Sequence, residues 1–247
     1  MKTAFYNTYF KCEDHHWWWL SRRHIIQKVI DFYFCNNLHN KDIKNKTILE
    51  VGTCSGGNLE MLSRYGNLFA MEMDKDACKL AQDRGLCDVK QGKLPDQFPF
   101  DKQFDVICMF DVLEHIEDDL ATLHCLKDKL TSTGKLIITV PAYQWLWSDH
   151  DVINQHYRRY TKKLLTHVLN QAGFKINYMT YFNTFLFPLI AGIRLINNCL
   201  GIKEGSDIAM PSKGVNHILK TIFASERFFL PKTSFPFGVS LLAVVEK

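Results

Sequence analysis

The sequence predicts an α/β protein in which a mainly parallel sheet is covered by helices on both faces. Short apolar or β-branched runs alternate, along the middle of the chain, with segments that have the hydrophobic spacing of helices. This alternation favours right-handed crossovers between parallel strands. With 247 residues, the chain is long enough for one large domain that carries an insertion.

Strand-like and helical segments follow each other in a regular order. The strand-like runs are residues 47–51, 68–73, 105–110, 135–140, 175–181 and 239–245. Helices are expected after the first three runs, ending at Gly66, Gly85 and Gly134, because a helix commonly ends at a glycine in the left-handed conformation. A further helix is expected to begin after Thr161, whose hydroxyl can cap its first turn, and to end at Gly173.

The single domain is divided into four parts. We assign residues 1–46 to an N-terminal helical flap, 47–182 to the ligand-binding core, 183–235 to a helical insertion or lid, and 236–247 to the last strand. The insertion is rich in Phe and Leu, and one of its helices is apolar on nearly all sides. Such a helix is buried, forms a dimer contact or lies in a lipid headgroup layer. A monomer, a homodimer and peripheral membrane contact through 183–235 therefore all stay open.

Composition excludes several classes of protein. Hydrophobic residues make up 47% and charged residues 23%, which is typical of a globular protein. The net charge of +4 is too small to indicate a nucleic-acid partner. The eight cysteines are scattered without a CxxC pair, so we expect buried thiols in a reducing compartment and no metal site. We predict a cytoplasmic protein, with membrane association left open, because no uncharged apolar run approaches the roughly 20 residues of a membrane-spanning helix.

A glycine-rich loop after the first strand is the most specific motif. Residues 48–58 read ILEVGTCSGGN, which places Gly52 and Gly56 where a ligand would approach the ends of parallel strands. Glu72 ends the next strand-like run, where a carboxylate can accept hydrogen bonds from both hydroxyls of a ribose. Together these residues indicate a nucleoside site.

The spacing of this loop narrows the choice of nucleoside. A dinucleotide fingerprint, G-x-G-x-x-G, has its middle glycine at the position of Cys54, and a P-loop has a G-K-[ST] sequence that is absent here. Glu50, at the end of the first strand, would repel a pyrophosphate but suits a ligand that carries a cationic amino acid. The spacing therefore argues against a nicotinamide oxidoreductase.

The motifs resemble those of the class I S-adenosylmethionine-dependent methyltransferases. The acid and glycine loop of the family match Glu50, Gly52 and Gly56, its ribose acid matches Glu72, and Cys54 stands where the family usually has glycine. Residues 111–115, DVLEH, resemble the segment after the fourth strand in the ubiquinone-biosynthesis O-methyltransferase group. The likeness is closest to bacterial methyltransferases of unassigned acceptor, through residues 92–95, 140–151 and 156–161.

The resemblance implies a Rossmann-like seven-stranded sheet, with a helical insertion before the last strand. It also implies S-adenosylmethionine as cofactor and S-adenosylhomocysteine as product. The residues expected at the cofactor are Glu50, Gly52, Thr53, Cys54, Gly56, Asn58, Glu72, Met73, Lys93, Leu94, Phe110 and Asp111.

The acceptor side of the site is less specific. Histidine is the usual base near neutral pH, and we expect His150, flanked by Asp149 and Asp151, or His156 to take the proton of an acceptor hydroxyl. Contacts to the acceptor are expected from His115, Trp19, Arg159 and Tyr160, with the arginine fork suited to an anion. A surface histidine, a solvated basic turn and a packed aromatic flap are the alternatives.

These residues predict transfer of a methyl group to a small-molecule or lipid-linked acceptor, on oxygen. The alternative is a cofactor-binding protein without catalysis, which Cys54 favours because its side chain would crowd the methionine end of the cofactor.

Overall fold

A single mixed sheet lies at the centre of the chain. In the computed structural model, which describes residues 10–35, 44–202 and 209–247, the sheet has seven strands. The strands are β1 (Thr47–Val51), β2 (Asn67–Glu72), β3 (Asp88–Gln91), β4 (Phe104–Phe110), β5 (Leu130–Pro141), β6 (Lys175–Phe182) and β7 (Ser240–Glu246). Their order across the sheet is β3-β2-β1-β4-β5-β7-β6, and β7 runs antiparallel to both of its neighbours. This confirms the predicted Rossmann-like sheet.

The helices of the described residues connect or flank these strands. They are α1 (Trp17–Ile30), α2 (Leu59–Leu62), α3 (Lys75–Asp83), α4 (Asp119–Asp128), α5 (Asp149–Ile153), α6 (Lys162–Gln171), α7 (Phe187–Leu200) and α8 (Lys213–Ala224). The Thr161 hydroxyl accepts the backbone N–H of Leu164 and so caps α6, as predicted. Gly85 and Gly173 follow α3 and α6 in the left-handed conformation, which also agrees with the prediction.

Two elements differ from the sequence prediction. β3 was not predicted, because Val89 is its one buried residue and the strand has no apolar run. The helix expected to continue through Leu130 ends at Asp128, and Leu130 begins β5, so Gly134 lies inside a strand rather than after a helix. A Cβ atom at Gly134 would lie 2.9 Å from the carbonyl oxygen of Phe104. The two backbones therefore approach too closely here for any residue with a side chain.

Apolar residues pack on both faces of the sheet. One core includes Leu126 of α4 and Leu165 of α6, and the other includes Ile26 of α1 and Phe223 of α8. All eight cysteines are free thiols. Cys78 and Cys108 are buried as expected, five are partly buried, and Cys199 is exposed.

The insertion is attached to the N-terminal helix. Asn216 of α8 accepts the backbone N–H of Trp17 at 2.8 Å, and the Ser21 hydroxyl donates to the Lys220 carbonyl at 2.9 Å. Within the described part of the chain, no helix combines the length and the apolar character that a membrane span requires. α1 and α8 thus pack together on one face of the sheet.

Candidate functional site

A cavity of about 1200 Å³ opens at the carboxyl ends of β1, β2 and β4. Its walls come from the N-terminal flap, the glycine loop, the ends of these strands, the long loop after β5 and α7. The volume exceeds the roughly 300–1,000 Å³ of a pocket for one small ligand. The cavity therefore has room for two ligands side by side.

The glycine loop is shaped by Gly52 and held by Glu50. Gly52 has a φ of +68° and lines the cavity, and a Cβ at this position would overlap the side chain of Val112. Glu50 accepts hydrogen bonds from the Thr53 hydroxyl at 2.7 Å and from the Asn58 amide at 2.8 Å. Burial raises the pKa of Glu50 to about 7. Glu50 does not line the cavity, contrary to expectation, because its carboxylate is used inside the loop.

Glu72 connects the second strand to the same loop. One carboxylate oxygen accepts the backbone N–H of Cys54 at 2.8 Å and the other accepts that of Asp74 at 3.0 Å. Burial raises the pKa of Glu72, and both Glu72 and Cys54 line the cavity. Cys54 has a φ of +51°, in the left-handed region that favours glycine.

The remaining residues expected at the cofactor divide into two groups. Those in the cavity wall are Thr53, Asn58, Met73, Lys93, Leu94, Phe110 and Asp111. Gly56 is not in the wall, because it turns the chain with a φ of +86° beneath the side chain of Arg84. Glu13, which sequence reasoning missed, accepts hydrogen bonds from Ser55 at 2.9 Å and from Arg84 at 2.5 Å and so fastens the flap to the loop.

The aromatic flap forms one side of the cavity. Trp17, Trp18 and Trp19 all line it. Arg22, one turn further along α1, lies 4.8 Å from the centre of the Trp18 ring and pairs with Asp111. Three tryptophans thus face the place where ligands would lie.

Three histidines lie close together in the cavity wall. The ring centres of His115 and His156 are 4.5 Å apart, and those of His150 and His156 are 6.1 Å apart. Burial, together with the nearby His156, lowers the pKa of His115 to about 4. All three histidines line the cavity.

Asp151 organises this cluster. Its carboxylate accepts a hydrogen bond from Nδ1 of His156 at 2.8 Å. It also accepts hydrogen bonds from Nε and Nη2 of the Arg159 guanidinium, at 2.8 Å each. Although burial opposes ionisation, the hydrogen bonds from His156 and Arg159 hold the pKa of Asp151 well below its ordinary value. Asp151 therefore orients His156, whereas the sequence suggested that it supports His150.

Two residues expected at the acceptor have other contacts. The Arg159 guanidinium, besides binding Asp151, donates to the Ala142 carbonyl at 3.2 Å, so its fork is not directed at an anionic ligand. Tyr160 is fully buried in the core and donates its hydroxyl to Asp119 at 2.9 Å, outside the cavity. Tyr160 thus lies outside the cavity, contrary to expectation, because its side chain is buried in the core. Arg159 does line the cavity, and its contact with the acceptor stays a prediction.

Glu114 and Asn183 were not identified from the sequence. Both are buried, both line the cavity, and none of their side-chain oxygen or nitrogen atoms has a hydrogen-bond partner. Burial and the nearby Asp111 raise the pKa of Glu114 well above its ordinary value. Glu114 lies within the DVLEH segment, but no signal marked Asn183, which follows an ordinary strand pattern.

Comparisons with known proteins agree on one kind of domain. Residues 18–178 match a family model described as a methyltransferase domain. No curated protein matches the chain in sequence.

Solved structures share the fold at low sequence identity. A chain of the Haloferax volcanii complex between the methyltransferase activator Trm112 and a methyltransferase aligns over 98% of this chain and 94% of its own length, with 16% identity and a TM-score of 0.61. A Bacillus halodurans methyltransferase aligns over 83% and 93%, with 17% identity and a TM-score of 0.57. Magnesium protoporphyrin IX methyltransferase of Synechocystis, solved with bound S-adenosylhomocysteine, aligns over 92% and 84%, with 9% identity and a TM-score of 0.54.

Proposed function

The chain belongs to the family of methyltransferase domains and uses S-adenosylmethionine, and from this premise we propose that it methylates an oxygen of an apolar, lipid-linked acceptor. The observation that carries this proposal is the orientation of α7 at the mouth of the cavity. Its exposed side is apolar and its buried side contains an arginine.

The residues of the glycine loop fit the cofactor. Gly52 lets the loop backbone line the cavity without a side chain, and Glu72, with two backbone N–H groups already bound, keeps acceptor positions for the hydroxyls of a ribose. We place the adenine near Met73 and Leu94 and the sulfonium near Asp111. The bound cofactor would supply a methyl group on a positively charged sulfur.

The exposed stripe of α7 supports an apolar acceptor. Leu189, Ile193, Ile196 and Leu200 recur with the spacing of one helix face, and each is between 46% and 67% exposed. Arg194, on another side of the helix, is buried and donates to the Leu146 carbonyl at 2.7 Å. Since Ile193 also lines the cavity, the apolar stripe continues into it.

The charges of the insertion favour contact of this apolar stripe with an anionic lipid surface. Residues 183–235 contain six basic residues and three acids, Glu204, Asp207 and Glu226, which gives a net charge of +3. Glu226 is buried beneath backbone N–H groups of the turn after β6. In the described part of this insertion, the basic residues that are not buried are Lys213, Lys220, Arg227 and Lys232. An exposed apolar helix face in a segment with a surplus of basic residues is typical of proteins that bind the headgroup layer.

The histidine cluster supports an oxygen acceptor. Methyl transfer to a hydroxyl requires removal of its proton, and His150 and His156 are the proposed proton acceptors at the cavity wall. The hydrogen bond between Nδ1 of His156 and Asp151 would hold the His156 ring in position. Positioning of the acceptor oxygen in line with the methyl carbon and the sulfur would provide most of the remaining rate enhancement.

Transfer of labelled methyl groups tests the proposal. The protein is incubated with methyl-labelled S-adenosylmethionine and anionic phospholipid vesicles that carry a bacterial lipid extract. We expect label in the organic-solvent fraction. Label confined to water-soluble products would refute a lipid-linked acceptor, and binding of S-adenosylhomocysteine without any transfer would favour the non-catalytic alternative.

Vesicle sedimentation tests the surface. Ile196→Glu places a charge in the exposed stripe of α7 and should abolish sedimentation with anionic vesicles. Leu164→Glu, at an exposed position of α6, is the matched control and should sediment like the wild type. Equal sedimentation of both variants, or dimer formation by the wild type that Ile196→Glu prevents without any vesicle binding, would overturn the membrane contact.

A further inference from the structure

We propose that Glu114, His115 and His156 bind one divalent transition-metal ion within the cavity. The three side chains come from the segment after β4 and from the loop after β5, which the fold brings together. Each offers one ligand atom, and these atoms all lie within 4.8 Å of one another. Metal bonds of about 2.0–2.2 Å place ligand atoms about 3–3.5 Å apart, so small side-chain rotations complete the site.

The carboxylate of Glu114 provides the first argument. It is fully buried, and neither oxygen has a hydrogen-bond partner. An unpartnered carboxylate in a protein interior is costly unless it is protonated or meets a cation. Nearby guanidinium groups bind other carboxylates, since Arg22 pairs with Asp111 and Arg159 with Asp151.

The orientation of the two histidines provides a second, independent argument. Nδ1 of His156 donates a hydrogen bond to Asp151, which leaves Nε2 as the ring nitrogen that can bind a metal ion. His115 is hydrogen-bonded to the backbone of Asn154, which fixes its ring in the same way. A histidine held by an oxygen atom on one nitrogen and directed inward with the other is characteristic of metal ligands.

The ligand set indicates the kind of metal. Two imidazoles and one carboxylate suit Zn²⁺, Mn²⁺, Fe²⁺ or Co²⁺, whereas Mg²⁺ and Ca²⁺ prefer sites made of oxygen atoms. Three protein ligands leave at least one coordination position open, as in catalytic sites. All three residues line the cavity, so the open position faces the space for the acceptor.

The consequence for catalysis rests on the proposed function. An acceptor hydroxyl at the open position would have a lowered pKa, and its proton would pass to His150, because His156 holds the metal. The oxygen then bonds to the methyl carbon while the carbon–sulfur bond breaks and its electron pair remains on sulfur. The products are the methyl ether, S-adenosylhomocysteine and one proton on His150.

Direct metal binding tests the inference without any acceptor. After removal of metal by chelation, the full chain is titrated calorimetrically with Zn²⁺ and, separately, with Mg²⁺. We expect one Zn²⁺ per chain, at least tenfold weaker binding in Glu114→Gln, and no comparable binding of Mg²⁺. His150→Gln, which changes another cavity histidine outside the set, should bind Zn²⁺ like the wild type. No Zn²⁺ binding, or equal binding by Glu114→Gln, would overturn the inference.

Two further measurements keep folding and function separate. Co²⁺ in place of Zn²⁺ should give visible absorption bands that Glu114→Gln and His156→Gln lose, while the far-ultraviolet circular dichroism of both variants stays that of the wild type. S-adenosylhomocysteine binding by the metal-free protein reports on the proposed function alone. Intact cofactor binding without Zn²⁺ binding would refute the metal site only, whereas loss of cofactor binding by the wild type would refute the proposed function.

Discussion

The guanidinium of Arg22 lies 2.7 Å from the carboxylate of Asp111 and joins the N-terminal helix to the end of β4. The same nitrogen donates to the Thr139 hydroxyl of β5 at 2.6 Å. Asp111 adopts a φ of +54°, and its backbone N–H donates to the Thr139 carbonyl. One ion pair thus fastens the tryptophan flap over the carboxyl ends of two central strands.

Loss of this ion pair should weaken the fold. We expect Arg22→Met to lower the free energy of unfolding by about 2–3 kcal/mol, because Asp111 loses its partner in a mostly buried site. Urea unfolding followed by circular dichroism measures the change. Arg64→Met removes an exposed pair with Glu60 and should leave the unfolding midpoint unchanged. Equal effects of the two substitutions would show that the buried ion pair contributes no more to the free energy of unfolding than the exposed one.

Glu72 should determine cofactor affinity. We expect Glu72→Gln to weaken S-adenosylhomocysteine binding at least tenfold, because an amide cannot accept hydrogen bonds at both ends from two backbone N–H groups and a ribose. Isothermal titration calorimetry gives the dissociation constant. Asp88→Asn, at an exposed acid on the neighbouring strand, is the control and should bind normally. Unchanged affinity in Glu72→Gln would remove it from the site.

Replacement of Cys54 by glycine should increase both stability and cofactor affinity. Because its backbone has a φ of +51°, Cys54→Gly should raise the free energy of unfolding by up to about 1 kcal/mol and tighten S-adenosylhomocysteine binding. Cys54→Ala removes the sulfur but keeps the strained backbone, so it should gain no stability. Urea unfolding and calorimetry compare the two variants. A similar gain from alanine would mean that side-chain size, rather than backbone conformation, limits the loop.

Stability should depend on pH through Glu50. Its pKa is about 7 in the folded protein and near 4.5 when unfolded, so the folded chain binds the proton more tightly. This contribution is fully present below pH 4.5 and is lost as the pH rises through 7. Glutamine does not titrate, so Glu50→Gln should not show this loss. From pH 5 to pH 8 its free energy of unfolding should therefore rise relative to that of the wild type by on the order of 2 kcal/mol. Thermal unfolding at several pH values measures the difference, and Glu60→Gln, at an exposed acid, should run parallel to the wild type.

The glycine loop and its acids could be predicted because their chemistry is local in the sequence. Gly52 and Glu72 each stand at the end of a strand, and parallel strands bring those ends to one edge of the sheet. The alternation of apolar runs likewise predicted six strands of the sheet correctly, although it missed β3, which has too few buried residues to form a pattern.

The contacts of the acceptor side could not be predicted in this way. The sequence put Asp151 beside His150, but a helix turn and the loop that follows direct its carboxylate to His156 and Arg159. Hydrophobic spacing also identified α7 without indicating which side would face solvent, and its buried side holds Arg194. Side-chain partners distant in sequence depend on how loops and helices pack.

The sequence by itself therefore determined six of the seven strands, the glycine loop and the need for a nucleoside-binding acid, because periodicity and strand ends are properties of short segments. Only the tertiary structure decided that Glu114, His115 and His156 meet in one cavity and that an apolar stripe lies at its mouth. The physical reason is that burial and ion pairing depend on contacts between residues that are distant in the sequence, and hydrophobic periodicity reports only on neighbouring residues.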